Sequence, residues 1–334
     1  MNFLNLEEVL KKEPPYRLKQ IKRALFFDLV LSWDEATTLP LKLKRGLNQQ
    51  CPIRTRAKIV SSRSGQTVKV AIALADGLEI ESVLMQHKDR RNTVCVSSQV
   101  GCPLACTFCL TGQRGFKRDL SCFEIVEQVL FFARYLKKLE AKITNIVFMG
   151  MGEPFLNYEN VIRAIKMLND PEGFNFGARR ISISTVGIVE GIRKLSQEHL
   201  EVNLAISLHA PNDRLREKLM PINKKYPLHE ILKAVDEYLK KTNRRVMFEY
   251  IMIKNINDSD PCAYELAELL RGKLCFVNLI SYNPTGKFVA SSSRKIGRFK
   301  KILEKEGIAV TQRFRFGKDI KAACGQLVKN SSLM

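Results

Sequence analysis

Apolar residues fall along this chain in two alternating rhythms from Val94 to the C-terminal region. Short runs rich in β-branched residues, at 94–98, 143–149, 180–185, 202–209, 246–253, 274–282 and 308–314, read as strands, and the stretches between them repeat apolar positions at helical spacing. The clearest helix opens on a capping box, Ser121 with Glu124, and carries Ile125, Val126, Val129, Leu130, Ala133 and Leu136 as one stripe suited to packing on a sheet. Strands alternating with helices of this length predict right-handed βαβ units and a parallel sheet. About six such units predict an α/β fold of the open, partial TIM-barrel type, with its site at the carboxyl ends of the strands.

Upstream the rhythm changes. Val68, Val70, Ile72 and Leu74, then Leu78, Ile80 and Val83, alternate on either side of Asp76-Gly77, the signature of a β-hairpin with Glu79 and Glu81 on its second strand. Before that, Pro14-Pro15, Pro40 and Pro52 punctuate short helices, of which 16–31 is the clearest amphipathic run. The chain divides on this reading into a small N-terminal helical domain (1–65), a hairpin linker carrying Glu81 (66–93) and a barrel domain (94–334).

Composition narrows the function. A chain of 334 residues, 45% hydrophobic, has enough apolar material for one large core and a small one. No apolar run reaches the ~18 to 20 residues of a membrane span, and residues 1–12 carry acids and lack an apolar signal core. A cytoplasmic protein with no membrane partner is expected. Nine cysteines in such a chain point to metal or redox chemistry rather than structural disulfides. Lys and Arg outnumber Asp and Glu 55 to 34, a net charge of +21, and crowd at 11–22, 42–69, 114–118, 179–180, 240–245 and 294–305. Basic residues spread over many elements suit a broad phosphate-tracking surface and hence RNA as partner, with the leading helices as a contact module; a generally basic composition and a simple packing cap are the plain alternatives.

The candidate chemistry begins at Gly101-Cys102-Pro-Leu-Ala-Cys106-Thr-Phe-Cys109. Three thiolates at C-x₃-C-x₂-C spacing can hold three irons of a [4Fe-4S] cluster and leave the fourth open, the arrangement of enzymes that bind S-adenosylmethionine (SAM) to the cluster and cleave it to a radical. A zinc knuckle is the alternative, but no fourth Cys or His follows at zinc spacing, and Cys122 reads as buried filler. Other polar groups fall just after strands. Gly152 and Glu153 sit in a glycine-rich turn, where the glycines admit a ligand and the carboxylate can accept an ammonium group. Ser184, Ser207, Leu208, His209 and Asn283 follow at later strand ends; a hydrogen-bonded structural role is the plain reading of His209, and its strand-end position favours cofactor contact.

From about residue 15 to residue 327 the chain resembles the RlmN and Cfr family of radical-SAM methyltransferases of adenosine in RNA. The resemblance rests on Cys95-Val-Ser-Ser-Gln-Val-Gly-Cys102, the cluster motif, Met149-Gly-Met-Gly-Glu-Pro154, Ile183-Ser-Thr185, Ser207-Leu-His-Ala-Pro211, Met220-Pro-Ile-Asn-Lys-Lys225, Val277-Asn-Leu-Ile280, Tyr282-Asn-Pro284 and Asp319-Ile-Lys-Ala-Ala-Cys324-Gly-Gln-Leu327. It implies an open (β/α)₆ radical-SAM barrel, one [4Fe-4S] cluster per chain on Cys102, Cys106 and Cys109, and two SAM per turnover held by Gly152, Glu153, Ser184, Ser207, Leu208, His209 and Asn283. It further implies that Cys324, in a C-terminal loop, carries the methyl as S-methylcysteine and that Cys95 resolves the RNA adduct through a transient disulfide with Cys324. Glu81 looks like the proton acceptor, although the hairpin departs from the family pattern by an extra residue between Glu81 and Cys95. Cys51, Cys122, Cys262 and Cys275 match nothing functional. The implied substrate is 23S rRNA, with tRNA beside the anticodon in many members, and the implied electron donor a flavodoxin or ferredoxin. Pro154, Ala210-Pro211 and Asn212-Asp213 look more like RlmN, which methylates C2 of adenine; Val186-Gly187 is nearer Cfr, which methylates C8. Rival classes are a radical-SAM enzyme of small molecules or peptides and a non-catalytic metal-stabilised RNA-binding protein. The charge disfavours the first; two unneeded thiols disfavour the second.

Overall fold

A computed structural model describes residues 6–11, 13–313, 316–317 and 319–327. Residues 1–5 and Lys12 of the leading segment, and Phe314 of the last expected strand, lie outside the described residues. The strands are β1 (Ala57–Ser61), β2 (Thr67–Ala73), β3 (Glu79–Gln86), β4 (Asn92–Cys95), β5 (Gln99–Gly101), β6 (Phe116–Asp119), β7 (Asn145–Phe148), β8 (Ile181–Thr185), β9 (Asn203–Ser207), β10 (Val246–Met252), β11 (Cys275–Ser281) and β12 (Val310–Gln312). Ten of them form one sheet in the order β1-β2-β3-β4-β7-β8-β9-β10-β11-β12, and β5 pairs only with β6. From β4 to β12 every pairing is parallel, while β1 to β4 are joined antiparallel. The fold is therefore the open partial barrel that the alternation predicts, with the Asp76-Gly77 hairpin added to one edge.

Helices cover the outer face as their stripes require. In helix Cys122–Lys137 the Ser121–Glu124 capping box is formed, and Ile125, Val126, Val129, Leu130, Ala133 and Leu136 are all buried against the sheet. Burying a side chain of this size contributes roughly 1.5–3 kcal/mol, so this stripe, rather than helix propensity, holds the element in place.

Two features differ from the pattern. The run at 94–98 does not stay in the sheet: β4 ends at Cys95, and the buried amide of Gln128 takes over from the ladder by accepting from Ser97 N–H at 2.7 Å and donating to Ser97 O at 2.9 Å. The amides of Ser98 and Gln99 turn instead to Met151 O, which docks the β7 loop on the end of β4. In the leading segment, run 16–31 is helical only over Tyr16–Lys22, followed by a π turn at Arg23–Phe27. Residues 57–61, within the stretch read as helical, form edge strand β1, paired antiparallel with β2 from Ala57↔Ile72 to Ser61↔Val68.

The leading helices enclose a second apolar core around Trp33, Leu43, Leu47 and Cys51. Trp33 is fully buried and its indole N–H donates to Cys51 O at 2.7 Å. Among the described residues no helix is long and apolar enough to cross a membrane.

Candidate active site

The three cysteines of the C-x₃-C-x₂-C motif lie on the loop that leaves β5 and are enclosed by an apolar cluster of Leu104, Phe108, Leu219, Met220, Ile251 and Tyr282. Burial pushes the Cys102 thiol up to about 12, with the Cys109 thiol adding to the rise. Cys106 is driven up by burial and then by Cys109 and Cys102. Cys106 is buried within that cluster, with Cys102 and Cys109 half-buried against it, so all three thiols are offered from one short loop, as ligands of three irons must be. A structural zinc site closes with four protein ligands, and this loop carries three cysteines. The donor set fits an iron-sulfur cluster.

The loop after β7 faces these thiols. Gly152 has φ +99°, and a Cβ there would lie 2.5 Å from Gln99 Cβ, so only glycine lets the loop press on β5. Glu153 is buried; its two carboxylate oxygens accept from Phe155 N–H at 3.0 Å and Val186 N–H at 2.9 Å. Burial nonetheless raises its carboxyl to about 7. A carboxylate in this state gains much from a cation.

The ends of β8 and β9 bring Ser184 and Ser207 together, hydroxyl oxygens 3.3 Å apart, and Ser184 Oγ donates to Glu249 Oε2 at 2.8 Å. Leu208 differs: its side chain belongs to the core, its N–H donates to Glu249 O and its carbonyl accepts from Arg216 Nε. His209, at φ 62°, accepts Ile251 N–H on Nδ1 at 3.2 Å and stands edge-on to Phe108 between two of the cluster cysteines. Burial lowers its imidazole to about 3, with Arg216 adding to the effect, so the ring is neutral.

Cys95, at the end of β4, and Cys324 line one cavity of about 30 Å³ together with Val83, Met149, Asn283 and Arg313. Burial raises both thiols, Cys95 to about 12. The Cys324 segment is fastened to the cluster loop: Leu110 N–H donates to Gly325 O at 2.8 Å, and Asn283 Nδ2 donates to Cys324 O at 3.2 Å. At Gly325, φ +80°, an added Cβ would lie 3.3 Å from Phe108 O. Glu81 shares the β3 face of Val83, whose register partner is Cys95, and its carboxylate meets Lys69 Nζ at 2.8 Å in a fully buried pair. Every cysteine is a free thiol; Cys51, Cys122 and Cys275 are buried and Cys262 half-buried, away from these groups.

Three residues of this site escape sequence reading. Glu249 offered a signal, a lone carboxylate in the middle of an apolar strand. Arg313 and Arg216 offered none, since one follows a short edge strand and the other looks like a surface helix residue. Arg216 is fully buried, spanning Leu208 O, Asn223 Oδ1, Tyr226 O and Val186 O, and so ties the loops after β8 and β9 into one frame beside Cys106.

Residues 96–266 match the family model of the radical SAM superfamily. A probable dual-specificity RNA methyltransferase RlmN of Dictyoglomus turgidum is 46% identical over 317 residues, spanning 94% of this chain and 91% of its own. The ribosomal RNA large subunit methyltransferase N of Nitrosopumilus maritimus is 44% identical over 322 residues, 93% of this chain and 92% of its own. A crystal structure of a radical SAM methyltransferase from Sphaerobacter thermophilus superimposes with a TM-score of 0.93 at 46% identity, covering 98% of this chain and 97% of that one.

Proposed function

Because this chain belongs to the RlmN family of radical-SAM RNA methyltransferases, we propose that it methylates C2 of an adenosine in 23S rRNA, and of the tRNA adenosine beside the anticodon, through S-methylcysteine at Cys324. The observation that carries this reading is the placement of Cys95 and Cys324 on one cavity, with the Cys324 loop fastened to the loop of Cys102, Cys106 and Cys109. A binding protein has no use for that arrangement; a methyl carrier that must meet both a radical source and a resolving thiol does.

Cys102, Cys106 and Cys109 would hold one [4Fe-4S] cluster, which with two SAM per turnover would supply the methyl group and hydrogen-abstracting radical chemistry. Adenine C2 is electron-poor and cannot displace a methyl from a sulfonium, so a sulfur of the protein must hold the carbon first. Cys324 Sγ takes that role, and Asn283, by holding the Cys324 carbonyl, sets where the sulfur points. Glu153 accepts the ligand's ammonium group, Gly152 admits its backbone, and Ser184, Ser207, Leu208 and His209 border it. Cys95 attacks Cys324 Sγ to free the methylated base, and Glu81 takes the ring proton.

RNA suits the remaining surface. In the leading helices Phe27 is 73% exposed beneath the Arg23 guanidinium, and Tyr16 lies under Arg17. Exposed rings beside arginines are the combination on which unpaired bases stack. Residues 1–65 are accordingly an RNA-contacting domain, 66–93 a linker carrying Glu81, and 94–334 the catalytic barrel. A cytoplasmic location and a flavodoxin or ferredoxin as electron donor complete the reading.

The test is anaerobic protein with reconstituted cluster, incubated with SAM, reductant and unmodified 23S rRNA fragment or tRNA, followed by mass spectrometry of the nucleosides. A 2-methyladenosine peak supports the proposal; 8-methyladenosine replaces it with the Cfr chemistry. Release of 5′-deoxyadenosine with no methylated RNA means a different substrate.

A further inference from the structure

If Cys95 resolves the adduct as proposed above, it must act as a thiolate, since thiol–disulfide exchange proceeds in proportion to the ionised fraction. Its surroundings oppose this. The residue is 5% exposed; burial is the main cause that raises its thiol, Cys324 adds to it, and Arg313 works in the other direction. The charged or titratable groups around it are Cys324 on the C-terminal loop, Arg313 after β12 and Glu249 on β10, with the Lys69–Glu81 pair on the adjoining hairpin. Two of these are cations, and Lys69 is taken by Glu81 at 2.8 Å.

Arg313 is placed differently. It lines both the small cavity shared by Cys95 and Cys324 and a chamber of about 580 Å³ at the opposite mouth of the barrel, and so forms a charged partition between the two. Its Nη1 is held by Glu249 Oε1 at 3.3 Å and rests against Met149 Sδ at 3.3 Å. Glu249 is itself fixed, because its other oxygen accepts from Ser184 at 2.8 Å. The network Ser184–Glu249–Arg313 thus carries a guanidinium from the serine end of the site to the wall of the thiol cavity.

We propose that Arg313, held in that wall by Glu249, is a positioning residue that supplies the counter-charge for the Cys95 thiolate during resolution. In that step Cys95 Sγ bonds to Cys324 Sγ while the bond from Cys324 Sγ to the RNA-borne methylene breaks. The electron pair of the broken bond passes to the methylene carbon, which takes a proton and becomes methyl. An external dithiol then reduces the disulfide to two thiols and is itself oxidised to a disulfide.

The test reads alkylation of Cys95 by iodoacetamide from pH 6 to pH 10, peptide by peptide, in the anaerobic full-length protein with reconstituted cluster, with buried Cys275 as the reference thiol. In R313Q alkylation of Cys95 is expected to slow about tenfold at pH 8, its profile moving to higher pH, while R313K stays near wild type and Cys275 does not change. In E249Q, which removes the Glu249 charge that raises the Cys95 thiol, the profile moves to lower pH. A Cys95 profile unchanged in R313Q, or displaced equally in R313K, overturns the proposal. Where R313Q does not fold alone, R313Q/E249Q decides: a Cys95 profile equal to that of E249Q overturns it. A Cys95→Ala protein that builds up no protein–RNA crosslink would instead remove the resolving role of Cys95, whatever the alkylation profiles show.

Discussion

Thr111 Oγ1 donates to the carbonyl oxygen of Leu327 at 2.7 Å, joining points 216 residues apart in the chain. With the bond from Leu110 N–H to Gly325 O, it sews the loop of the cluster cysteines to the loop of Cys324. The Cys324 sulfur therefore has no independent position: whatever orients the loop of Cys102, Cys106 and Cys109 also orients Cys324. The cavity lined by Cys95 and Cys324, about 30 Å³, has room for a water.

Thr111→Val keeps the shape and removes the donor, leaving a buried carbonyl without its partner at a cost of about 1–2 kcal/mol. The expected result is faster hydrogen exchange at the amides of 325–327 and a several-fold slower methyl transfer, with iron content unchanged. Exchange rates equal to wild type would show that the seam is held elsewhere.

Cys324→Ala should retain its iron and its reductive cleavage of SAM but yield no methylated RNA. Cys95→Ala should stop one step later and accumulate a covalent protein–RNA species visible on a denaturing gel. Methylated RNA from Cys324→Ala would exclude the cysteine-borne methyl.

Gly152→Ala places a methyl 2.5 Å from Gln99 Cβ at a φ of +99°. Strain and clash together amount to about 1–3 kcal/mol, and the loop is expected to lift from β5 and carry Glu153 with it. SAM binding by equilibrium dialysis should weaken at least about tenfold, while the cluster cysteines still take up iron.

Glu153 links binding and stability to pH. Its carboxyl is raised to about 7 from an ordinary 4.5, so the folded chain holds this proton more tightly than the unfolded chain does. The associated stability is complete below pH 4.5 and is lost as pH rises through 7, a loss on the order of 3 kcal/mol. Glu153→Gln should therefore match wild type at pH 4.5 and exceed it at pH 8 in urea denaturation of the SAM-free protein. SAM affinity should move the other way, rising from pH 6 to pH 8 in wild type and staying flat in Glu153→Gln.

Lys69→Met removes the lysine from a pair with Glu81 whose members are each 5% exposed. Removing one half of a buried pair costs about 3–5 kcal/mol, whereas Lys69→Met with Glu81→Leu should recover most of that stability. The double variant tests the catalytic role as well: if Glu81 is the proton acceptor, a stable Lys69→Met/Glu81→Leu protein should still methylate Cys324 and stall at the adduct.

Much of this protein was determined locally. Barrel class follows from apolar runs alternating with helical stripes, because burial acts on each element through its own periodicity, and the stripe from Ile125 to Leu136 packs as its spacing requires. Cys102, Cys106 and Cys109 were legible for a similar reason: a cluster's size dictates the spacing of neighbouring ligands on one loop. The place of Gly152 and Glu153 just after a strand was legible because an apolar run that ends in glycines marks where a strand gives way to a loop. Even there local pattern has limits, as the early end of β4 shows, where Gln128 from a distant helix replaced the ladder bonds of Ser97.

The tertiary structure alone decided which distant groups meet. Nothing near Cys95 in sequence points to Arg313, and nothing near Ser184 points to Glu249, yet packing places these four around one partition. Arg216 reads as a solvated helix residue and is fully buried, because the carbonyls that hold it come from separate loops. Periodicity encodes which face of an element is buried, and the order and curvature of the sheet decide which residues on those faces share a space. Ion pairs and thiol neighbours depend on that second arrangement, which no single stretch of the chain contains.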